Sequence, residues 1–151
     1  MKVYRICKRT HASRAFRGEG ARRYAGRWHH AGIPLVYTAR SLALAAFEQL
    51  VHFDLDIAPA GFVSIEVDIP RGVKIRRPAK TLPANWDAIP AVDETRDFGS
   101  RWFESMSSVA MVVPSAVIVG EMNVLLNPLH ADFAKLVRGK PRPFVFDPRL
   151  R

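Results

Sequence analysis

The stretch Pro34-Leu35-Val36-Tyr37-Thr38-Ala39-Arg40-Ser41-Leu42-Ala43-Leu44-Ala45-Ala46-Phe47-Glu48 changes character in its middle. Leu35 to Thr38 reads as a short strand beginning after Pro34. From Ser41 onward nearly every residue favours a helix, and Ser41 itself can cap one, so a helix is expected over Ser41 to Phe53. At helical spacing Leu44, Phe47 and Val51 fall on the expected buried side, while Ser41, Ala45, Glu48 and His52 form an adjoining stripe. A lone carboxylate in so apolar a helix stands at the core boundary and needs a cation or a hydroxyl to bond. Arg27 is one such partner, a ligand ribose another.

Strands flank this unit on both sides. Met1 to Cys7 alternates, and Phe62 to Ile69 alternates strictly, as half-buried strands do. Pro70-Arg71-Gly72 turns the chain toward Val73 to Ile75, and Pro78 to Pro90 is a loop around Asn85-Trp86. A second helix starts at Asp93 or Thr95, carries Trp102 and Phe103, and ends near Ser107. Ser108 to Val113 is an apolar strand stopped by Pro114; Val117 to Val119 and Phe144 to Phe146 read as further short strands. Asn127-Pro128 opens a brief helix through Leu136. Residues 10–32, rich in Gly, Arg, Ala and His and lacking a period, read as a long loop, a feature that in compact domains is usually functional or disordered. Strands and helices without a βαβ rhythm define an α+β class. With no repeat and no Gly/Ser linker, one domain is expected over 1–151.

Composition narrows the classes. The 151 residues are 48% hydrophobic, enough for one core without staples. The single cysteine, Cys7, excludes an intramolecular disulfide and sits where a small buried hydrophobe is expected. No apolar run reaches membrane-spanning length, and the N-terminus lacks the apolar stretch of a signal peptide, so a cytoplasmic protein is expected. The net charge of +9 is uneven: fifteen of 23 cations lie within Lys2–Arg27 and Lys135–Arg151. Such a field attracts phosphates, nucleic acid or an acidic protein, or is simply a solvated surface. Metal-ligand spacings are missing, and the adjacent pair His29-His30 would point in different directions, which assigns both a structural or surface role. No Walker A motif is present, and Gly18-Glu19-Gly20 lacks the third glycine of a dinucleotide fingerprint.

Four positions carry chemistry beside Glu48. Arg27, between Gly26 and Trp28, can grip a phosphate bidentately, and Trp28 can wall a pocket or stack on a ring; equally, Arg27 is an ordinary cation beside a core tryptophan. Tyr37 can stack on a flat heterocycle or fill core. Ser115 follows Pro114 at a strand end, and with no histidine placed to activate it, it is a hydrogen-bonding group rather than a nucleophile.

The order of these blocks is more specific than any one of them. Gly18-Glu19-Gly20-Ala21-Arg22 is followed by Tyr24-Ala25-Gly26-Arg27-Trp28, Val36-Tyr37-Thr38, and Ser41 to Glu48. Then come Leu82 to Trp86, Val113-Pro114-Ser115-Ala116-Val117, Asn123 to Pro128, and Phe146 to Leu150. Over essentially the whole chain this set resembles the RES-domain family, named for an Arg, a Glu and a Ser. The resemblance implies an ADP-ribosyltransferase-like fold, a split, twisted β core with flanking helices. It also implies a toxin of a bacterial type II toxin–antitoxin pair that consumes NAD⁺ as substrate, with no cofactor or metal, by cleaving the nicotinamide–ribose bond. By position the family Arg falls on Arg27, the Tyr on Tyr37, the Glu on Glu48 and the Ser on Ser115; His29 stands where many relatives carry Asn.

In that frame Glu48, Arg27 and Ser115 are catalytic, and Arg27, Tyr37, Ser115 and Trp28 bind the dinucleotide. Bond cleavage develops oxocarbenium character, which a carboxylate at the ribose stabilises. The implied partner is an Xre-like helix-turn-helix antitoxin, in a hetero-oligomer with a toxin dimer, with DNA reached only through the antitoxin and no membrane. Two alternatives share the sequence: transfer of ADP-ribose to a protein, and a basic nucleic-acid-binding or RNA-cleaving toxin. The basic ends, including Arg149 and Arg151, also suit docking to an acidic antitoxin.

Overall fold

The alternation of residues 62–69 becomes strand β3 (Phe62–Asp68), which pairs antiparallel with β1 (Lys2–Lys8) from Lys2↔Asp68 to Lys8↔Phe62. The computed structural model describes residues 1–52, 60–78 and 80–150. Within them, β2 (Val36–Ala39) pairs along its length with β6 (Met122–Leu126), whereas its register with β1 is the single pair Tyr4↔Ala39. The sheet therefore opens between β1 and β2, giving the split core. Beyond β6 lie β5 (Ala110–Pro114), antiparallel, and β4 (Ile75–Arg76), which pairs parallel with β5. On the far side β7 (Val137–Arg138) and β8 (Arg142–Phe144) pair with β3, completing the order β4-β5-β6-β2-β1-β3-β7.

Directly paired residues share a face, and successive residues alternate. One face carries Val3, Val36, Val63, Ile65, Val67, Val124 and Leu126. It is covered by Ala15 and Phe16, by Leu136, and by two 3₁₀ turns, Arg9–Arg14 and Ala131–Lys135. The other face carries Ala39, paired with Asn123, and Tyr37, paired with Leu125. There Leu44, Ala45 and Ala46 of α2 (Leu42–Leu50) pack with Ile6, Phe62 and Phe146. Beside them Trp102 and Phe103 of α3 (Asp93–Glu104) join Trp28, Met111 and Leu125. Ser41 caps α2 as expected, its Oγ accepting from the Leu44 amide at 3.1 Å. Asp93 and Glu94 set negative charge on the first turn of α3, where the helix dipole favours it.

Several expectations need correction. The stretch 10–32 is not one loop: it holds most of the first 3₁₀ turn, helix α1 (Glu19–Arg23), and a bridge between Gly26 and His29. Val117–Val119 is a turn, not a strand; the chain reverses there so that β6 can return beside β5, and Val119 is fully exposed. The central strand β6, which no alternation announces, lies just beyond. The last strand falls on Arg142–Phe144 rather than Phe144–Phe146, since Phe146 turns inward against Phe62 and Phe144. The helix expected from Asn127 is a 3₁₀ turn from Ala131, because the Asn127 carbonyl and side chain are taken up capping the turn before it. Phe47 on α2 and Val51 just past its end are exposed; the face against the sheet is built from Leu44, Ala45 and Ala46. Phe53, the expected helix end, lies outside the described residues.

Helix α3 and the residue-28 segment approach to backbone contact at Gly99. A Cβ there would stand 1.9 Å from the Trp28 carbonyl oxygen, a backbone atom that cannot rotate away. We therefore expect Gly99→Ala to destabilise the fold by about 1–3 kcal/mol or more through overpacking, read as a lower thermal midpoint. An unchanged midpoint would show that α3 can shift without cost.

Candidate functional site

The cleft forms where α2, the segment 25–28 and the ends of β5 and β6 converge. It encloses about 750 Å³ and is lined by Arg27, Trp28, Tyr37, Glu48, His52, Arg96 and Asn123, with apolar walls from Val51, Ile89, Pro114 and Val117. That size lies within the roughly 300–1,000 Å³ of small-ligand sites.

Glu48 is half-buried on α2 and its carboxylate is held through one oxygen. Ser115 Oγ donates to Oε1 at 2.7 Å and Asn123 Nδ2 donates to the same atom at 2.5 Å. Charge-assisted bonds of this kind are short and about twice as strong as neutral ones. Oε2 has no hydrogen-bond partner among the described residues, so one carboxylate oxygen is anchored and the other is available to the cleft. Ser115 is itself buried and fixed, its Oγ accepting from the Val117 and Ile118 amides at 3.0 and 3.1 Å. Its hydroxyl is thus committed to Glu48 and to the turn, which makes it a positioning group behind the carboxylate.

Arg27 lines the same cleft but does not pair with Glu48. Its Nη1 donates to the Trp86 and Ala88 carbonyls, each at 2.8 Å, which ties the loop 86–88 to the cleft floor. The rest of the guanidinium has no partner among the described residues and is open to a ligand. Arg96 stands nearby, its Nε donating to the Gly26 carbonyl at 3.2 Å and its Nη1 to Asp93 at 2.8 Å. Two guanidinium groups and one carboxylate therefore line the same cleft.

Trp28 meets protein on its ring faces: it is 1% exposed, stacked on Trp86 at 6.3 Å and edge-on to Phe98. Tyr37 is locked through its hydroxyl. The Trp28 amide donates to Tyr37 Oη at 3.1 Å, and Oη lies 2.8 Å from His29 Nδ1. His29 Nε2 faces two carbonyls, Ala21 and Tyr24, each at 3.1 Å. Two acceptors on that side require Nε2 to carry the proton, so Nδ1 accepts from the tyrosine hydroxyl. Burial lowers the His29 pKa and raises that of Tyr37, which keeps both neutral and the chain of bonds intact. His29 is thus structural, as expected, while His30 lies toward the surface with Asp97 at 2.6 Å. Gly26 sits against this knot; a Cβ there would meet His29 and Tyr37 Oη at 2.7 Å.

Two residues of the site carry no signal in the sequence reading. Asn123 was visible only as part of a motif block; its side chain reaches Glu48 because it heads β6 on the same face as Tyr37. Arg5 is one position of the alternating stretch Met1 to Cys7, and nothing in the sequence sets it apart. Its Nη1 donates to the Tyr37 carbonyl at 2.8 Å, its Nε is buried without a partner among the described residues, and burial lowers its pKa. It lines a small cavity of about 60 Å³ at the opening between β1 and β2, which Glu48 and Asn123 also line. Among the described residues no group of His, Cys, Asp and Glu could hold a metal ion, and no helix is long and apolar enough to cross a membrane.

This arrangement defines a class: an α+β domain with a split β core whose opening carries an anchored carboxylate among arginines. The sequence matches the model of the RES domain over residues 2–147, and the chain belongs to that family. It is 40% identical to "Toxin Res" of Photorhabdus laumondii over 151 residues, covering 99% of this chain and 97% of that protein. It is 35% identical over 145 residues to the "Prs ADP-ribosylating toxin" of a Sphingobium species, covering 94% of this chain and 90% of that one. Among solved structures, the Mycobacterium tuberculosis MbcT–MbcA toxin–antitoxin complex contains a chain that superposes with a TM-score of 0.70 at 20% identity. That match covers 99% of this chain and 85% of the other, and it shows the fold. The α+β class expected from the order of strands and helices, with flanking helices on a split sheet, is the fold observed, and it is the fold shared with that chain.

The His29 knot gives a pH prediction. Its folded pKa lies below the ordinary 6.5, so below that pH the unfolded chain binds more protons than the folded one. Stability from this group is complete above pH 6.5 and is lost as pH falls through the folded pKa. Thermal midpoints should therefore drop between about pH 7 and about pH 5, and less so in His29→Gln, which removes the titrating group. Equal slopes in both proteins would place the acid sensitivity elsewhere.

Proposed function

We propose that this chain is the toxin of a toxin–antitoxin pair and that its cleft cleaves the nicotinamide–ribose bond of NAD⁺. The observation that carries the reading is the Glu48 carboxylate, anchored through Oε1 by Ser115 and Asn123 with Oε2 open to the cleft. In the reaction the C–N bond between ribose C1′ and nicotinamide breaks and its electron pair leaves with nicotinamide, which departs neutral. Positive charge passes to C1′ and the ring oxygen. A fixed carboxylate at the ribose stabilises that charge without reorganising. The acceptor oxygen then bonds to C1′, and its proton passes to Glu48 or to solvent. Arg27 faces the diphosphate and Tyr37 lines the side toward nicotinamide, while Arg5 lines the small cavity that Glu48 and Asn123 share. Ser115 acts through Glu48 and not on the substrate.

The acceptor is water or phosphate on this reading. Transfer of ADP-ribose to a protein is the second reading, and it is favoured by the 35% identity to a relative named as an ADP-ribosylating toxin. An Xre-like antitoxin is the partner we propose; the relatives' being named toxins and the fold shared with a chain solved in a toxin–antitoxin complex support an antitoxin, and the Xre-like type is what the family resemblance implies. The basic ends suit such a partner; Arg149 there is paired with Asp147, and Arg151 lies outside the described residues.

Purified protein should release nicotinamide from NAD⁺, and Glu48→Gln should reduce the rate by about 10²-fold or more with folding intact. Ser115→Ala and Asn123→Ala should each lower kcat, up to about 10²-fold, with little change in KM, because they loosen the carboxylate rather than remove a substrate contact. Full activity in Glu48→Gln would remove the reading. With NAD⁺ labelled in its ADP-ribose part, label free in solution supports hydrolysis or phosphorolysis, and label on a protein supports transfer.

A further inference from the structure

The sheet face opposite the Glu48 cleft bears a second concavity of about 740 Å³, and it shares no lining residue with the first. Its place follows from the strand registers. Tyr4 pairs with both Ala39 and Glu66, so Ile65, next to Glu66, points to the other side, and Ile65 floors this groove. Phe16, Leu129 and Phe133 supply apolar walls.

The charged residues that line the groove are Arg17 and Arg138, and no acid lines it. They come from the two basic ends of the sequence, which the fold joins here because the turns after β1 cover this face of the sheet while β7 pairs with β3 on the edge away from β1. The Arg138 guanidinium lies over two rings, 5.8 Å from the centre of Phe133 and 6.0 Å from that of Phe16, and has no carboxylate partner among the described residues. This is a cation held in place by aromatic faces rather than by a countercharge. Arg17 is 72% exposed, with Glu19 at 3.9 Å as a loose neighbour. Leu129 is 54% exposed at the rim.

We propose that this groove docks an acidic segment of another protein, with a Leu or Phe side chain seated between Phe16, Phe133 and Leu129 and adjacent carboxylates on Arg138 and Arg17. Charge complementarity selects that occupant. A second copy of this chain, itself +9, would bring more cations to a groove lined by cations. A purely apolar ligand would leave the two guanidinium groups unanswered. The inference is independent of what the Glu48 cleft does, and the bound segment leaves that cleft open.

The test is fluorescence anisotropy with the purified full chain and a labelled peptide alternating Asp or Glu with Leu or Phe. Two control peptides have Ser in place of the apolar residues or Lys in place of the acids. The alternating peptide should bind most tightly. Arg138→Glu and Leu129→Asp should each weaken it by about tenfold or more, while the charge-matched Lys80→Glu on a distant loop should not. Nicotinamide release and thermal midpoints measured in parallel would show that both variants are folded. Three results would overturn the proposal: equal binding of the alternating and Ser-containing peptides, equal losses in Arg138→Glu and Lys80→Glu, or self-association of the chain that Arg138→Glu abolishes.

Discussion

A single carboxylate oxygen, Glu48 Oε1, receives hydrogen bonds from Ser115 and Asn123, residues separated from it by 67 and 75 positions in the chain. Those two bonds fasten α2 to the ends of β5 and β6, and the rest of the site is arranged around them. Without them the glutamate would be one more polar residue on the edge of an apolar helix. With them it becomes a fixed negative charge facing a cleft that otherwise carries arginines. The tight turn after Pro114 serves the same end, because the Ser115 hydroxyl that holds Glu48 also closes the turn on the amides of Val117 and Ile118.

Around this anchor the fold spends its buried polar groups on rigidity. The run from the Trp28 amide through the Tyr37 hydroxyl to His29 and on to the carbonyls of Ala21 and Tyr24 is satisfied at every atom. A fully satisfied buried network fixes one conformation, whereas a broken one costs the desolvation of each orphaned group. Its consequence is that the segment bearing Arg27 is set by neutral hydrogen bonds and leaves the guanidinium free to hold the loop 86–88 on one side and face the cleft on the other. Among the described residues two buried side-chain atoms stand outside such networks, Arg5 Nε and Thr95 Oγ1. Arg5 lines the small cavity at the opening between β1 and β2 that Glu48 and Asn123 also line, which sets an unpaired buried donor at the edge of the site.

The alternating strands were legible, as were the Ser41 cap and the start of α3, placed at Asp93 or Thr95 and found at Asp93; for His29 the sequence left a structural and a surface role open, and burial settles it as structural. Central strand β6 was not, because Val124, Leu125 and Leu126 are all buried and a strand covered on both faces loses its alternation. Val117–Val119 reads as β-prone yet forms the turn, since propensity yields to the need to reverse the chain between paired strands. The site was half legible. Arg27, Tyr37, Glu48 and Ser115 do come together, but helical spacing could not say that Glu48 would bond Ser115 and Asn123 in place of Arg27. Nor could it show that Phe47 and Val51 would be left outside the core. Such pairings depend on the long-range register of β5 and β6, which no local pattern encodes.

The proposed chemistry of this RES-domain chain rests on one contact, that of the Glu48 carboxylate with the ribose of a bound dinucleotide. The most direct measurement is a crystal structure of the folded Glu48→Gln protein soaked with NAD⁺. The nicotinamide ribose is expected within about 3 Å of the residue-48 side chain, with the diphosphate on the Arg27 side of the cleft. NAD⁺ bound elsewhere, or an empty cleft at saturating NAD⁺, would contradict it.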